Sequence, residues 1–154
     1  MPITTPATTN IGFEGHTPKE VVEAIKPEIE GVTVCDVGCG TGEWMERLLK
    51  YASAVKGIEK SLKYEIAVNE GLDVVQGNAT VDAIPIAATY YAWLGTSVLA
   101  DFIENVETRG IKGTFIVGNY TDYFVKKYLE SLGAVKRVVK TTRGDFTIWI
   151  WSIA

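Results

Sequence analysis

The sequence predicts a doubly wound α/β fold: a mostly parallel sheet with helices on both faces and one antiparallel strand near the C-terminus. Short apolar runs alternate with amphipathic stretches of helical period through most of the 154 residues, the pattern of repeated β-α units. A glycine-rich segment, Gly38-Cys39-Gly40-Thr41-Gly42, stands where an early apolar run stops and an amphipathic one begins, so the glycines fall in a strand-to-helix turn. After the last helical stretch come two strand-like runs joined through Arg143-Gly144-Asp145, which read as a hairpin. The length suits one domain.

The elements follow in order. Val21, Val22, Ile25 and Ile29 recur at helical spacing over 17–29, and Thr17-Pro18 with Glu20 makes a helix start with Thr17 as N-cap. A strand over 32–36 leads into the glycine loop, and a helix over 42–51 carries Trp44, Met45, Leu48 and Leu49. A short buried strand over 54–59 precedes a helix over 62–69 that ends near Gly71. Strands three and four are expected over 72–76 and 84–91, separated by Gly77-Asn78-Ala79-Thr80. Val98, Leu99, Phe102, Ile103 and Val106 place a helix over 97–108, closed by Arg109-Gly110. Strand five covers 111–118. A helix over 122–132, stopping at Gly133, and the hairpin strands 136–141 and 146–153 complete the chain.

Composition narrows the function classes. At 47% hydrophobic and 22% charged the chain is an ordinary globular one, and no apolar run approaches the roughly 20 residues of a membrane span. A net charge of −4 argues against a broad nucleic-acid footprint. Lys126, Lys127, Lys136, Arg137, Lys140 and Arg143 gather in the C-terminal third and read as a solvated surface. Cys35 and Cys39 match no zinc spacing, and the single His16 does not complete a metal site, so no metal is expected. Both cysteines read as small packing residues in a reducing, cytoplasmic setting. Residues 1–15 are polar, rich in Thr and Pro and without the features of a secretory signal, which makes them an arm ahead of a domain over 16–154.

The glycine spacing bears on the ligand. A dinucleotide fingerprint reads G-x-G-x-x-G and holds a pyrophosphate at the helix start. Here the pattern is G-x-G-x-G, with Asp36 two places before the first glycine. An acid in that loop repels phosphate and attracts an ammonium group, which suits a ligand built of adenosine and an amino acid. The bland alternative is a tight turn that binds nothing. The stretch Asp36 to Gly42 resembles the first motif of the class I S-adenosylmethionine-dependent methyltransferases, an acid followed by G-x-G-x-G. The resemblance extends over about 16–154. It implies a seven-stranded sheet of order 3-2-1-4-5-7-6, S-adenosylmethionine as cofactor and a methyl acceptor as partner.

Ligands of such sheets lie over the carboxyl ends of the strands. Glu59 stands there, 23 residues past Asp36, where an acid accepts both ribose hydroxyls; the alternative is a surface acid capping a helix. Asn78-Ala79 follows strand three, where similar enzymes set a polar side chain against the adenine amino group, although Asn also suits a plain turn. Gly38, Cys39, Gly40 and Gly42 would bring main chain against the methionine moiety, with Asp36 orienting loop amides or reaching the amino group. Thr17, opening the leading helix, would close over the methionine carboxylate, or that helix simply packs on the sheet.

Methyl transfer is a direct displacement that works largely by alignment, so no acid or base need show in the sequence. After strand four the chain reads Tyr90-Tyr91-Ala92-Trp93-Leu94-Gly95 in place of the Asn/Asp-Pro-Pro-Tyr/Phe of base-methylating relatives, which disfavours an exocyclic base amine. Tyr91 and Trp93 share a parity and are expected, ahead of Tyr90, to position the acceptor, with cation–π contact to an amine as their chemistry; the alternative is that these aromatics are strand-end core residues. The compact chain, the Thr-Pro start and this tyrosine-rich segment look similar to the small archaeal protein-lysine methyltransferases. That similarity implies a protein lysine acceptor, with Glu43, Asp122 or Tyr91 assisting its deprotonation. Gly118-Asn119-Tyr120-Thr121-Asp122-Tyr123 replaces the aromatic and proline segment of that group. A small-molecule acceptor, a non-catalytic subunit serving a partner, and an aminopropyl transferase are the alternatives.

Overall fold

The computed structural model describes residues 17–154; the expected arm and His16 lie outside them. Two short helices, α1 (Glu20–Ala24) and α2 (Lys26–Ile29), precede β1 (Thr33–Val37), α3 (Glu43–Leu48), β2 (Ala54–Glu59), α4 (Lys63–Asn69), β3 (Asp73–Gln76), β4 (Thr89–Ala92), α5 (Thr96–Thr108), β5 (Gly113–Gly118), α6 (Tyr123–Ser131), β6 (Val135–Thr141) and β7 (Gly144–Ile153). The seven strands form one sheet of order β3-β2-β1-β4-β5-β7-β6. β1 pairs in parallel with β2 and β4, and β7 runs antiparallel between β5 and β6. This is the doubly wound, seven-stranded architecture that the sequence predicts. Among the described residues no helix is long and apolar enough to cross a membrane.

Two cores cover the two faces, and the period-2 alternation of the strands sorts residues between them. Cys35, Val37, Tyr90, Ala92, Phe115 and Val117 face α5 and α6, together with Trp149 and Trp151. Val34, Tyr91, Ile116, Phe146 and Ile148 face the other way, toward the apolar sides of α1 to α4. Tyr90 stacks on Phe115 with ring centroids 4.9 Å apart, and its hydroxyl accepts the Ala87 N–H at 2.9 Å.

Several boundaries differ from expectation for local reasons. The leading helix is broken at Ile25 (φ −101°, ψ 6°) ahead of Pro27, which supplies no N–H to continue the first helix. Thr17 does not cap it: α1 begins at Glu20 with Lys19 at the N-cap and no side-chain cap. β4 starts at Thr89 rather than at 84, because 84–88 contains Pro85 and runs irregularly beside the sheet, although Ile84 is buried in the core. Thr89 Oγ1 donates to the Glu28 carbonyl at 2.7 Å and ties β4 to α2. The terminal hairpin turns on Thr142 and Arg143, one residue earlier than expected, with Thr141 opposite Gly144 (φ +114°).

The cluster of basic residues is largely engaged at the surface. Arg137 forms a two-point ion pair with Glu28 (2.6 and 3.0 Å) and donates to the Ala24 carbonyl, Lys140 pairs with Asp145, and Lys127 with Glu130. The Arg137 contacts lock β6 to the leading helices.

After β5, Asn119 takes the left-handed conformation (φ +42°), and its side chain accepts the Thr147 N–H at 3.0 Å, so the chain leaves the sheet without stranding that donor. The buried Tyr120 hydroxyl then clamps the chain after β4, donating to the Leu94 carbonyl and accepting the Leu94 N–H at 3.2 Å. Tyr120→Phe leaves both backbone groups without that partner. The expected loss is about 1–3 kcal/mol in urea unfolding; a change inside about 0.3 kcal/mol would mean that water replaces the clamp.

Candidate functional site

Three strand ends converge above the sheet. β1 ends at Val37 and feeds the glycine loop, β2 ends at Glu59, and β4 runs into Trp93. The Gly38 and Cys39 amides both donate to the Ile58 carbonyl (2.9 and 3.2 Å), folding the loop back over β2. Glu59 fastens it: Oε1 accepts the Gly40 N–H at 2.8 Å and Oε2 the Ser61 N–H at 3.0 Å. Burial pushes the Glu59 carboxyl up, but the hydrogen bonds from Ser61 and Gly40 outweigh it and hold the group below its ordinary value.

The three loop glycines all have positive φ and do different things. A Cβ on Gly40 (φ +57°) would meet nothing within 4 Å, whereas one on Gly42 (φ +90°) would fall 2.2 Å from Leu72 Cδ1 and 3.3 Å from Ala67 Cβ. Gly40 therefore faces open space and Gly42 faces the packing of α3 against the segment after α4. A Cβ on Gly38 would lie 3.0 Å from Leu94 Cδ2. Gly57, which the sequence pattern did not single out, is needed as well, since a Cβ there would lie 2.7 Å from both Cys39 Sγ and Met45 Sδ.

A cavity of about 370 Å³ opens over this loop. Of the residues expected at a ligand site, Asp36, Gly38, Cys39, Gly40, Glu59, Thr17, Tyr91 and Trp93 line it. Gly42, Asn78 and Ala79 do not. The Asn78 side-chain oxygen accepts from the Thr80 amide (3.0 Å) and hydroxyl (2.6 Å), closing its own turn, and the Ala79 carbonyl accepts from Asn105. Asp122 is likewise elsewhere, capping α6 through the Phe124 and Val125 amides. Tyr90 faces the opposite core.

The cavity also takes in Trp44, Arg47, Lys63 and Glu43. Trp44 reads in the sequence as one more apolar residue of an amphipathic helix; the available signal was its indole N–H, a donor that needs a partner when buried. Trp44 packs against Tyr91 with centroids 5.2 Å apart, and the Tyr91 hydroxyl shares a 2.9 Å hydrogen bond with Thr17 Oγ1. The hydroxyl expected to cap a helix is thus spent inside the site.

Among the described residues the buried side-chain polar atoms without a hydrogen-bond partner are Asp36 Oδ2, Trp44 Nε1 and Trp93 Nε1. All three residues line this one cavity. Asp36 is 4% exposed, and burial, followed by the nearby Glu59 charge, raises its pKa well above 3.8. Burial also pushes the Cys39 thiol up to about 12, with Asp36 and Glu59 adding to it. The Tyr91 phenol is pushed above its ordinary value by burial, against the opposing hydrogen bond from Thr17.

The fold has solved counterparts. A SAM-dependent methyltransferase from Aquifex aeolicus is 20% identical, with a TM-score of 0.67 over 88% of this chain and 89% of that one. The magnesium protoporphyrin IX methyltransferase of Synechocystis PCC 6803, solved with bound SAM, is 14% identical with a TM-score of 0.65, over 88% and 79% of the two chains. A Methanobacterium thermoautotrophicum protein described as a precorrin 8W decarboxylase is 17% identical with a TM-score of 0.62 over 94% and 96%. No protein-family model matches the chain, and no curated protein matches it in sequence. At these identities the likeness is one of fold.

Two substitutions separate strain from function here. Gly42→Ala must place its Cβ into Leu72 at a left-handed residue, and is expected to cost about 1–3 kcal/mol in chemical unfolding; an unaltered midpoint would show that Leu72 swings away freely. Asp36→Asn acts through pH. Because burial raises the folded-state pKa above 3.8, the folded chain holds more protons than the unfolded one between those values, so stability falls as pH rises through that window. The variant lacks this decline and is expected to become the more stable protein by about pH 8; a variant less stable at that pH would show that the native carboxylate is well solvated.

Proposed function

We propose that the protein is an S-adenosylmethionine-dependent methyltransferase. The observation that carries this reading is the buried Asp36 carboxylate oxygen, without a partner, on the lining of a cavity built over a positive-φ glycine loop at the carboxyl ends of the strands. A buried carboxylate is costly unless it meets a cation or donors. A phosphate ligand would deepen the conflict, and an α-ammonium group would relieve it. The unpartnered Trp44 N–H is a neutral donor suited to the carboxylate of the same amino-acid end, with Thr17 beside it on the cavity wall. One acid and one fixed N–H on one lining fit a zwitterion.

Glu59 supports the adenosine half of the ligand. Its oxygens already accept the Gly40 and Ser61 amides, yet a carboxylate offers about four lone-pair sites, which leaves capacity for ribose hydroxyls. The acid that orders the loop would then also bind the sugar. Open space at Gly40 admits ligand against the main chain, while Asn78 and Ala79 lie off the cavity lining, the Asn78 side-chain oxygen closing its own turn and the Ala79 carbonyl accepting from Asn105 of α5.

When bound, S-adenosylmethionine supplies a methyl group made electrophilic by its positive sulfur. The chain's own contribution is alignment and exclusion of water. Tyr91 on β4 and Trp93 just after it are the acceptor-positioning residues of this reading, fixed respectively by Thr17 with Trp44 and by an edge-on contact to Phe146 with centroids 5.2 Å apart. Their rigidity suits a displacement governed by approach geometry.

Calorimetric titration with S-adenosylmethionine and S-adenosylhomocysteine, with NAD as control, tests the reading. Micromolar binding of the first two alone is expected, strengthening as pH rises because the ammonium favours ionised Asp36 over the protonated form that burial promotes. Gly40→Val is expected to abolish binding while the chain stays folded by circular dichroism, and Glu59→Ala to weaken it by about 1–3 kcal/mol, roughly five- to 150-fold. A wild-type protein that binds neither compound sinks the proposal.

A further inference from the structure

The Trp93 end of the cavity has a chemistry of its own. Trp93 follows β4, on the far side of β1 from Glu59. Its neighbours are Phe146, whose ring meets it edge-on at 5.2 Å, and Tyr91 two residues before it. Its indole Nε1 is buried and has no hydrogen-bond partner. That group is a donor only, carries no charge and does not titrate. It is matched by an oxygen acceptor on a ligand and mismatched by an ammonium.

We propose that the methyl acceptor is an oxyanion, a carboxylate, held through one oxygen by the Trp93 Nε1–H. The proposal deepens the methyltransferase reading and rests on it. It differs from the lysine acceptor suggested by the resemblance to archaeal enzymes.

Proton inventory points the same way. An amine acceptor arrives as an ammonium and must lose a proton before it attacks. Of the groups lining the cavity, the Cys39 and Tyr91 protons are held firmly by burial. Glu59 accepts the Gly40 and Ser61 amides, and Glu43 lies 4.0 Å from the Arg47 guanidinium. Asp36 is the partner for the donor's ammonium. A carboxylate needs none of them. Its oxygen forms the new bond to the methyl carbon while the carbon–sulfur bond of the methyl sulfonium breaks. The bonding pair stays on sulfur, which leaves as a neutral thioether. One negative and one positive charge become two neutral molecules, an ester and a thioether, with no proton transferred. Loss of opposite charges beside the Tyr91 and Trp93 rings of the cavity wall favours such a step over one that creates charge.

Two readouts on the full chain decide the matter. The first is the indole N–H spectrum of the ¹⁵N-labelled protein with acetate, benzoate or phenylacetate as probes and benzylamine at matched ionic strength as control. Trp93→Phe and Trp44→Phe assign the two unpartnered indoles, and Trp149, whose Nε1 already donates to the Tyr120 carbonyl at 3.1 Å, is the internal reference. The expected result is a saturable downfield shift of the Trp93 signal with at least one carboxylate and none with benzylamine, the Trp149 signal holding still. No shift with any of the three acids, or a shift with the amine alone, overturns the proposal.

The second readout is the stability of transferred label. Cell extract split into small-molecule and protein fractions is incubated with methyl-labelled S-adenosylmethionine and the protein, then made alkaline. Label released as volatile methanol marks an ester, and the fraction that yields it separates a small acid from a protein carboxylate. Alkali-stable label marks an amine and overturns the proposal, leaving the donor assignment intact. Trp93→Phe is expected to bind S-adenosylmethionine within twofold of the wild type and to lose at least tenfold in label transfer. Should the wild type bind no S-adenosylmethionine in the calorimeter, the methyltransferase reading itself fails, an outcome distinct from a failure of the indole titration.

Discussion

Everything at the strand ends is arranged around a carboxylate that the fold takes out of water. Asp36 belongs to β1, a central strand of the sheet, opposite Gly57 on one side and Tyr91 on the other. Its burial is a consequence of that position, since the neighbouring strands flank it on both sides and leave it facing only the cavity over the loop. One oxygen is left without a donor, a state that native folds rarely keep. Packed with an apolar residue of similar size the position would make a more stable protein. Keeping an acid there is a local conflict in an otherwise consistent fold, and such conflicts concentrate where a ligand completes the structure.

Alternation along the strands explains which residues meet it. From Asp36 the same face continues to Tyr91 on β4, to Trp93 just beyond it and to Phe146 on β7, while Tyr90 and Ala92 go to the opposite core. The helices over that face then set the roof: α3 brings Trp44 down on Tyr91, and the chain before α1 brings the Thr17 hydroxyl to the Tyr91 phenol. Arg137 of β6 grips Glu28 and Ala24, so the far edge of the sheet holds the segment that carries Thr17. The site is local in its chemistry and distributed in its support.

How much of this the sequence discloses depends on the kind of signal. The alternation of strands and helices and the loop are legible because periodicity and glycine spacing are local patterns, whereas the strand order comes only from the resemblance that the loop motif carries. The break at Ile25 follows from Pro27, and the late start of β4 from Pro85; both prolines were in view, but a buried Ile84 imitated a strand. Gly42 and Gly40 look alike in the sequence, and only the position of Leu72 tells them apart. Trp44 was hidden for the opposite reason: a helix-face tryptophan is ordinarily core, and its unpaired N–H exists only once the neighbours are placed. Thr17 reads in the sequence as a helix cap, and tertiary packing instead sets its hydroxyl against Tyr91 on the cavity wall.

Glu59 shows why a loop of this kind needs an acid at the end of the second strand whether or not ligand is present. The Gly38, Cys39 and Gly40 amides are donors that need acceptors, and without them three glycines are free to adopt other conformations. The Glu59 carboxylate takes the Gly40 amide, and the Ile58 carbonyl takes two more, so the loop is ordered before any ligand arrives. Preordering of this kind cuts the entropy lost on binding. It also places two carboxylates, Asp36 and Glu59, near enough to raise the proton affinity of the more buried one. A cationic amino-acid group entering beside Asp36 relieves that repulsion, and hydroxyl donors reaching Glu59 weaken it further. In the proposed assignment the two halves of an adenosyl–amino acid ligand would thereby be coupled through the loop they share, each making the other's site more favourable than it is alone.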